Sequence, residues 1–193
     1  SRVFIPFVII LGAVGIFLIL QPDIGTLLII GGSAALLYFF GGGKTYQLLA
    51  LAFLGVSLII TIAQISPHYN YLLTRLDSFR NAEEDPQGAG YQIRQSAIAI
   101  GSGGFWGVGF GQSRQKYSYL PEPMNDSIFA IFTEEMGFLG AFLLVLAFLA
   151  FLWRGFLIAR RAPDFFGRLL VIGIISSITL QAFINMGAIS GLL

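Results

Sequence analysis

Long apolar runs alternate with short polar connections along most of this chain. Five of the runs reach the roughly 17 to 25 residues that a helix needs to cross the hydrocarbon core of a bilayer. These runs are Val3–Leu20, Ile24–Phe40, Tyr46–Ile65, Ile128–Trp153 and Leu169–Leu193. The pattern predicts an all-α, polytopic transmembrane protein with about five spans. A long polar segment, residues 66–125, separates the third span from the fourth.

The composition supports a lipid environment. Hydrophobic residues make up 56% of the 193 positions and charged residues 11%, and the mean hydropathy is +0.81, which is too apolar for an ordinary soluble domain. The net charge of +1 gives no reason to expect a nucleic-acid partner. The absence of cysteine excludes disulfides, and a single histidine, His68, argues against imidazole metal sites and serine–histidine–aspartate triads. We therefore expect carboxylates to perform any acid–base chemistry.

The ends of the spans carry the topological information. Only Gln21-Pro22-Asp23 separates the first two spans, and we expect a turn or break there because proline removes a backbone donor and a carboxylate is costly in lipid. The chain begins at Ser1 with a span already under way and stops at Leu193 inside another apolar run. We therefore expect it to be a fragment of a longer protein.

Four arginines set the expected orientation. They lie in the connection 154–168 and are Arg154, Arg160, Arg161 and Arg168. Because basic residues in short loops favour the cytoplasmic side, this connection is predicted to be cytoplasmic. Counting back through the spans places Lys44 inside, and Asp23 and the segment 66–125 outside.

The predicted external segment 66–125 is too long for a passive linker. Apolar residues recur at helical spacing from Leu72 to Phe79, which predicts a short amphipathic helix at the membrane interface. Residues 91–100 form a second candidate helix, and a glycine-rich run follows at 101–111. Such a run suits tight turns or close approach of the backbone to a ligand. A re-entrant segment packed against protein is the other interpretation.

Three acidic residues stand at the start of the fourth span. Asp126 immediately precedes it, where an aspartate is a preferred helix N-cap. Glu134 and Glu135 lie two turns further along, roughly 12 Å down the helix axis. Carboxylates at such positions normally face a polar cavity or a partner, so a cavity running from Asp126 to Glu134 and ion pairs with arginine both remain open.

Basic residues gather in the same external segment. They are Arg75, Arg80, Arg94, Arg114 and Lys116. Acidic residues are interspersed among them, so an ordinary solvated face is one interpretation. A pyrophosphate site is the other, because arginine recognises phosphate in a planar, bidentate way.

An ordered series of short motifs runs through the chain. The motifs are Gln21-Pro22-Asp23-Ile24-Gly25-Thr26, Asp85–Ile93, Gln95-Ser96, Ala99–Gly104, Tyr119–Glu122, Asp126–Ala130 and Glu134–Gly137. In this order they resemble the SEDS family, the shape, elongation, division and sporulation proteins that include FtsW, RodA and SpoVE. The run Gly109–Ser113 looks closer to the division and sporulation branch than to RodA.

The resemblance implies a peptidoglycan glycosyltransferase that polymerises lipid II at the outer face of the bacterial cytoplasmic membrane. It also implies a class B penicillin-binding protein as partner, within the division or elongation machinery. Asp126 matches the family's essential aspartate and would act as general base. Two departures from the family pattern stand out. Met124-Asn125 replaces the usual His-Thr pair, and the family's first spans and its C-terminal glycine- and serine-rich motif are absent.

Other residues receive supporting roles from the same resemblance. Arg75, Arg94 or Lys116 would bind the leaving pyrophosphate, and a divalent cation, Mg²⁺ or Mn²⁺, held by Asp126 is the alternative for that task. Supporting polar groups are Glu122, Glu134, Glu135 and Asp23. Two rival functions are a lipid II flippase and a scaffold for the penicillin-binding protein.

Overall fold

The computed structural model describes residues 4–21, 23–65, 89–113, 115 and 127–191, and within these ranges it contains helices and turns but no strand. The all-α prediction is therefore confirmed for the described residues. The helices are α1 Phe4–Leu20, α2 Ile24–Phe40, α3 Thr45–Ile65, α4 Ala89–Ser102, α5 Ile128–Arg161 and α6 Phe165–Ile189. The helix predicted at 91–100 is present and is a little longer on both sides, whereas the one predicted between Leu72 and Phe79 lies outside the described residues.

Two helices, α5 and α6, are long and apolar enough to cross a membrane by length and composition. Shorter apolar helical stretches are Phe4–Leu20, which is α1, Gly25–Phe40 within α2 and Thr45–Ser57 within α3. The α5 helix continues past the predicted span end at Trp153 to Arg161. It does so because arginine is a good helix former, and a helix does not need to stop where the apolar run stops. The connection predicted at 154–168 is consequently helical except at residues 162–164.

The chain divides into two compact units. The first comprises Ser1–Tyr69 and Ala150–Gln181, and the second comprises Asn70–Leu149 and Ala182–Leu193. In the first unit, Tyr38 of α2 packs against Phe7 of α1, with ring centroids 4.7 Å apart. Phe40 of α2 also contacts Phe156 of α5, with ring centroids 5.6 Å apart. Aromatic packing thus joins the apolar helices of this unit.

The predicted break between the first two apolar runs is present. Helix α1 ends at Leu20, and α2 begins at Ile24 with Asp23 as its N-cap. An Asp23 Oδ1 atom accepts a hydrogen bond from the Thr26 backbone N–H at 3.0 Å. The carboxylate therefore satisfies one of the donors that a helix N-terminus leaves without an internal partner.

In the second unit, α4 and the beginning of α5 pack together with the end of α6. The buried cluster consists of Ala99, Ala130 and Ile189, with Ile100 and Phe129 packed against it. These side chains are small or compact, which allows the helices to approach closely. The cluster holds α4 against the first turns of α5.

Helix α5 is interrupted at Gly137, whose backbone has φ 68° and ψ −171°. In a continuous helix the carbonyls of Glu134 and Glu135 would accept from the N–H groups four residues later. Here they accept instead from Val108 N–H at 3.0 Å and from Gly109 N–H at 3.1 Å. The interruption therefore exchanges internal hydrogen bonds for bonds to another segment.

Residues 101 and 102 of the glycine-rich run belong to α4. The rest of the run, residues 103–111, donates and accepts the hydrogen bonds that replace those of α5, and we call it the glycine loop. Its Gly104 carbonyl accepts from Phe138 N–H at 2.9 Å, and its Phe105 carbonyl accepts from Leu139 N–H at 3.3 Å. The loop thus satisfies two carbonyls and two N–H groups that the interruption of α5 releases. In the structure this run is irregular backbone that packs against α5, and a re-entrant course through the membrane stays a prediction.

Glycine is required where the two backbones meet. Gly107 has φ 82°, and a Cβ added there would overlap the Glu135 carbonyl oxygen. Gly137 has φ 68°, and a Cβ there would overlap the Gly107 nitrogen. Both positions combine the left-handed backbone region with backbone-to-backbone contact, so no other residue type fits without displacing one segment.

We expect Gly107→Ala to lower the stability of the protein by at least about 1 kcal/mol, because alanine is disfavoured in the left-handed region and would also separate the loop from α5. Gly101→Ala is the matched control, because Gly101 is helical and an added Cβ meets nothing within 4 Å. The measurement is the thermal stability of both variants in detergent. Equal stability of the two variants would contradict the importance of this contact.

Candidate functional site

The most buried acidic group of the described residues is next to the interruption of α5. Glu134 is 2% exposed and Glu135 is 9% exposed, although both carboxyl groups belong to a helix whose only other polar side chain up to Trp153 is that of Thr133. The carbonyls of the same two residues accept the hydrogen bonds from the glycine loop. Loop and acidic pair therefore form one local structure.

Ser113 connects the end of the glycine loop to Glu134. Its hydroxyl donates to Glu134 Oε2 at 2.6 Å, and the bond is buried. Hydrogen bonds to carboxylates in water-excluded surroundings are short and strong. A buried hydroxyl thus contributes to satisfying the carboxyl group, as expected for a costly acidic residue in an apolar helix.

Three polar side-chain atoms of the second unit are buried without a hydrogen-bond partner in the part of the chain that is described. They are Glu135 Oε1, Gln115 Oε1 and Ser96 Oγ. Ser96 belongs to α4, whose next turn contributes Ala99 to the buried cluster. Buried polar atoms of this kind commonly mark a site of function or ordered water.

The structure describes only some of the site residues that were predicted from the sequence. Glu134 and Glu135 are brought together with the glycine loop, and Arg94 lies exposed on α4. Asp23 belongs to the first unit, where it caps α2. The remaining candidates, Asp126, Glu122, Arg75 and Lys116, lie outside the described residues.

The electrostatics of Asp23 follow from its capping role. Hydrogen bonds from the Thr26 side chain and backbone hold the pKa of the Asp23 carboxyl below its usual value, with a small opposing effect of burial. A carboxylate that accepts hydrogen bonds is stabilised in its charged form. The capping contribution is therefore present at neutral pH and is lost as the pH falls through the lowered pKa.

Sequence reasoning missed Ser113 as a partner of Glu134. The two residues are 21 positions apart, and no periodicity links a loop serine to a helix glutamate. The only available signal was general, because a buried carboxylate requires a donor. Among the described residues, no three histidine, aspartate or glutamate side chains lie close enough together to hold a metal ion.

Comparison with known proteins gives matches to the members of one family. The FTSW_RODA_SPOVE family model, described as "Cell cycle protein", matches residues 1–193. Stage V sporulation protein E of Bacillus subtilis is 42% identical over 192 residues, covering 100% of this chain and 52% of that protein. A probable peptidoglycan glycosyltransferase FtsW of Aliivibrio salmonicida is 35% identical, covering 99% of this chain and 48% of that protein.

A further probable peptidoglycan glycosyltransferase FtsW, from Saccharophagus degradans, is 41% identical over 181 residues. These make up 92% of this chain and 46% of that protein. The chain thus spans about half the length of the curated relatives it matches.

We expect Ser113→Ala to destabilise the protein by about 1–3 kcal/mol, since it removes a buried donor from a carboxyl group. Ser102→Ala is the control, because the Ser102 hydroxyl donates only to the Ala99 carbonyl of its own helix and its side chain is exposed. Thermal unfolding in detergent is the measurement. A double-mutant cycle with Glu134→Gln should show coupling between the two side chains, and additive losses would argue against it.

We expect Asp23→Ala to cost about 1 kcal/mol near neutral pH, whereas Asp23→Asn retains most of the cap. The difference in stability between the native protein and Asp23→Ala should shrink as the pH falls through the lowered pKa of Asp23. The difference between the Asn and Ala variants should stay constant over the same range. Normal membrane yield of Asp23→Asn with loss of activity would instead assign Asp23 to the functional site.

Proposed function

This chain belongs to the FtsW, RodA and SpoVE family of cell cycle proteins, and from that premise we propose that it is part of a peptidoglycan glycosyltransferase. The enzyme would polymerise lipid II into glycan strands during cell division or sporulation. The observation that supports this proposal most is the match along the whole chain to relatives named as peptidoglycan glycosyltransferases. The ordered motifs around Asp126 and Glu134 agree with it.

The proposed reaction is a glycosyl transfer with inversion. The 4-hydroxyl oxygen of an acceptor sugar forms a bond to the anomeric carbon of a second, polyprenyl-pyrophosphate-linked glycan. The bond from that carbon to the pyrophosphate oxygen breaks, and the pyrophosphate leaves with the bonding electrons. Asp126 takes the proton of the attacking hydroxyl as general base, and the product contains a β-1,4 linkage.

The position of Asp126 in the chain suits this role. Ser127 and Ala130, which follow it, are fully buried, and Ala130 belongs to the cluster that joins α4, α5 and α6. The first turn of α5, directly after Asp126 in the sequence, is therefore a rigid structural support. Rigid support is what a general base requires, because small displacements reduce proton-transfer efficiency strongly.

Cations would stabilise the leaving pyrophosphate. Arg94 is exposed on α4 and available for such a contact, and Arg75 and Lys116 are the other two candidates. A divalent cation is an alternative, but no group of three acidic or imidazole side chains forms a metal site within the described ranges. The proposed holders of such a cation are Asp126 and the substrate's own phosphate oxygens, and we derive no step through a metal.

The proposed membrane arrangement has five spans, which correspond to α1, α2, α3, α5 and α6. The arginines in the last turns of α5 and the first turn of α6 would face the cytoplasm, and Asp126 would face the exterior of the bacterial cytoplasmic membrane. This is the side on which a class B penicillin-binding protein, the proposed partner within the division or elongation machinery, would cross-link the glycan.

A lipid II flippase is the second candidate, and the interruption of α5 at Gly137 beside two buried glutamates favours it. Broken helices with polar groups at membrane depth are typical of transporters. The flippase and the polymerase make different products, since translocation leaves lipid II unpolymerised. A scaffold would make neither product.

We expect Asp126→Asn in the full-length protein to reduce lipid II polymerisation by about 10²- to 10⁴-fold, the usual contribution of a general base. Asparagine caps helices about as well as aspartate, so insertion and co-purification with the partner should be unchanged. Glu122→Gln is the matched control and should have a smaller effect. The measurement is glycan product from purified protein with its partner.

Near wild-type glycan from Asp126→Asn would contradict the catalytic assignment and leave Asp126 as a helix cap. Translocation of lipid II without polymer by the native protein would favour the flippase. Silent substitutions of exterior charges, with the partner still bound, would favour the scaffold.

A further inference from the structure

The chain has two tryptophans, Trp106 and Trp153, and both are largely exposed. Trp106 is in the glycine loop and is 76% exposed, and Trp153 in α5 is 69% exposed. Tryptophan is normally among the more buried residue types. Its amphipathic ring has a preferred location in membrane proteins, the boundary between hydrocarbon and headgroups.

Helix α5 contains a charge-free stretch that is bounded on both sides. Glu135 precedes it and Arg154 follows it, so it comprises residues 136–153, which are 18 positions. At 1.5 Å per residue this stretch is about 27 Å long, close to the roughly 30 Å thickness of the hydrocarbon core. The stretch is therefore long enough to cross the hydrocarbon core once, and a charged residue flanks it on each side.

Each tryptophan lies at or near one end of this stretch. Trp153 is its last residue. Trp106 is brought to its beginning by the glycine loop, because the loop's hydrogen bonds reach residues 134–139 of α5. In the sequence Trp106 is 30 positions before the start of the stretch (136 − 106), so only the hydrogen bonds between the loop and α5 bring it there.

Further aromatic side chains of the second unit extend the same surface. Phe105 packs against Trp106 with ring centroids 5.1 Å apart, and against Phe138 of α5 at 5.9 Å. Phe138 stacks in turn on Phe142 at 6.3 Å. Phe110, near the end of the loop, is 83% exposed. The rings thus form a continuous exposed series from the loop on to the charge-free stretch.

We propose that the glycine loop is a membrane-interface anchor, whose Trp106 and Phe110 lie in the boundary between the lipid headgroups and the acyl chains. The occupant of this aromatic surface is the bilayer. The loop backbone can lie at that depth because its hydrogen bonds are made to α5 rather than to water. Trp153 is the last residue of the charge-free stretch in the sequence.

The anchor would fix the height of the beginning of α5. Ser127 is ten residues before Gly137 (137 − 127), or about 15 Å along a helix axis. Glu134 and Glu135 would then lie at the edge of the hydrocarbon rather than in its middle. If the proposed function is right, the height of Ser127 would suit the sugars of a lipid-linked substrate, which lie outside the phosphate level. This consequence concerns the described start of α5 at Ser127 and rests on the proposed function, whereas the anchor itself does not.

The test measures depth with nitroxide spin labels on single cysteines, in full-length protein reconstituted into phosphatidylethanolamine and phosphatidylglycerol liposomes. The labelled variants are Trp106→Cys, Phe110→Cys and Trp153→Cys. Leu146→Cys, an exposed position inside the charge-free stretch, is the hydrocarbon control, and Arg161→Cys at the end of α5 is the aqueous control. Relative accessibility to oxygen and to a water-soluble nickel chelate reports the depth of each label.

We expect the labels at 106, 110 and 153 to give intermediate depths, between those at 146 and 161. Aqueous accessibility at position 106, or a depth equal to that of position 146, would overturn the proposal. Shielding of position 106 from both reagents would also overturn it, because protein rather than lipid would then cover the surface.

A second measurement needs no label and serves if a cysteine variant fails to fold. Trp106→Phe should remove an emission component that is quenched most by lipids brominated near the glycerol end of the acyl chain. An unchanged quenching profile would overturn the proposal. Neither readout uses polymerisation, so failure of the anchor and failure of the glycosyltransferase assignment can be told apart.

Discussion

The hydrogen bonds between the glycine loop and the interruption of α5 are the constraint on which the second unit depends. Lipid offers no hydrogen-bonding groups, so a membrane helix can be interrupted only where other protein backbone satisfies the groups that are released. At Gly137 the loop does so reciprocally, with two N–H groups and two carbonyls. Leaving such groups unsatisfied in an apolar environment would cost about 1–3 kcal/mol each. Loop and interruption are therefore stable only together.

This pairing also determines the surroundings of the acidic residues. Because the carbonyls of Glu134 and Glu135 are held by the loop, their side chains project from a part of α5 that cannot move independently of residues 103–113. The Ser113 hydroxyl then reaches Glu134. The contact between the loop and α5 thus stabilises the helix interruption, holds the loop in place and brings a hydrogen-bond donor to a buried carboxyl group. These are conditions under which acidic residues persist in an apolar helix.

The same contact relates the local structure to the proposed chemistry. A polymerase of lipid-linked sugars has to act at a defined distance from the bilayer, because its substrate is held at the interface by a polyprenyl chain. A rigid beginning of α5, packed on α4 and the end of α6, supplies a fixed support for the adjacent Asp126. Aromatic side chains at the loop would set the height of that support relative to the lipid. Substrate depth and catalytic geometry would then be controlled by one structural element.

The sequence by itself determined the helical class and the positions of the apolar helices, because crossing a bilayer demands long apolar runs and these are visible residue by residue. It also predicted the break at Asp23 and the helix around Tyr91–Ile100. The family followed from ordered motifs, and the role of Asp126 remains a prediction from them. Only the tertiary structure decided that Gly107 and Gly137 meet and that Ser113 bonds Glu134. These contacts join residues 21 to 30 positions apart (134 − 113 and 137 − 107). Local propensity and periodicity act over a few residues, so they cannot specify which distant backbone will satisfy an interrupted helix.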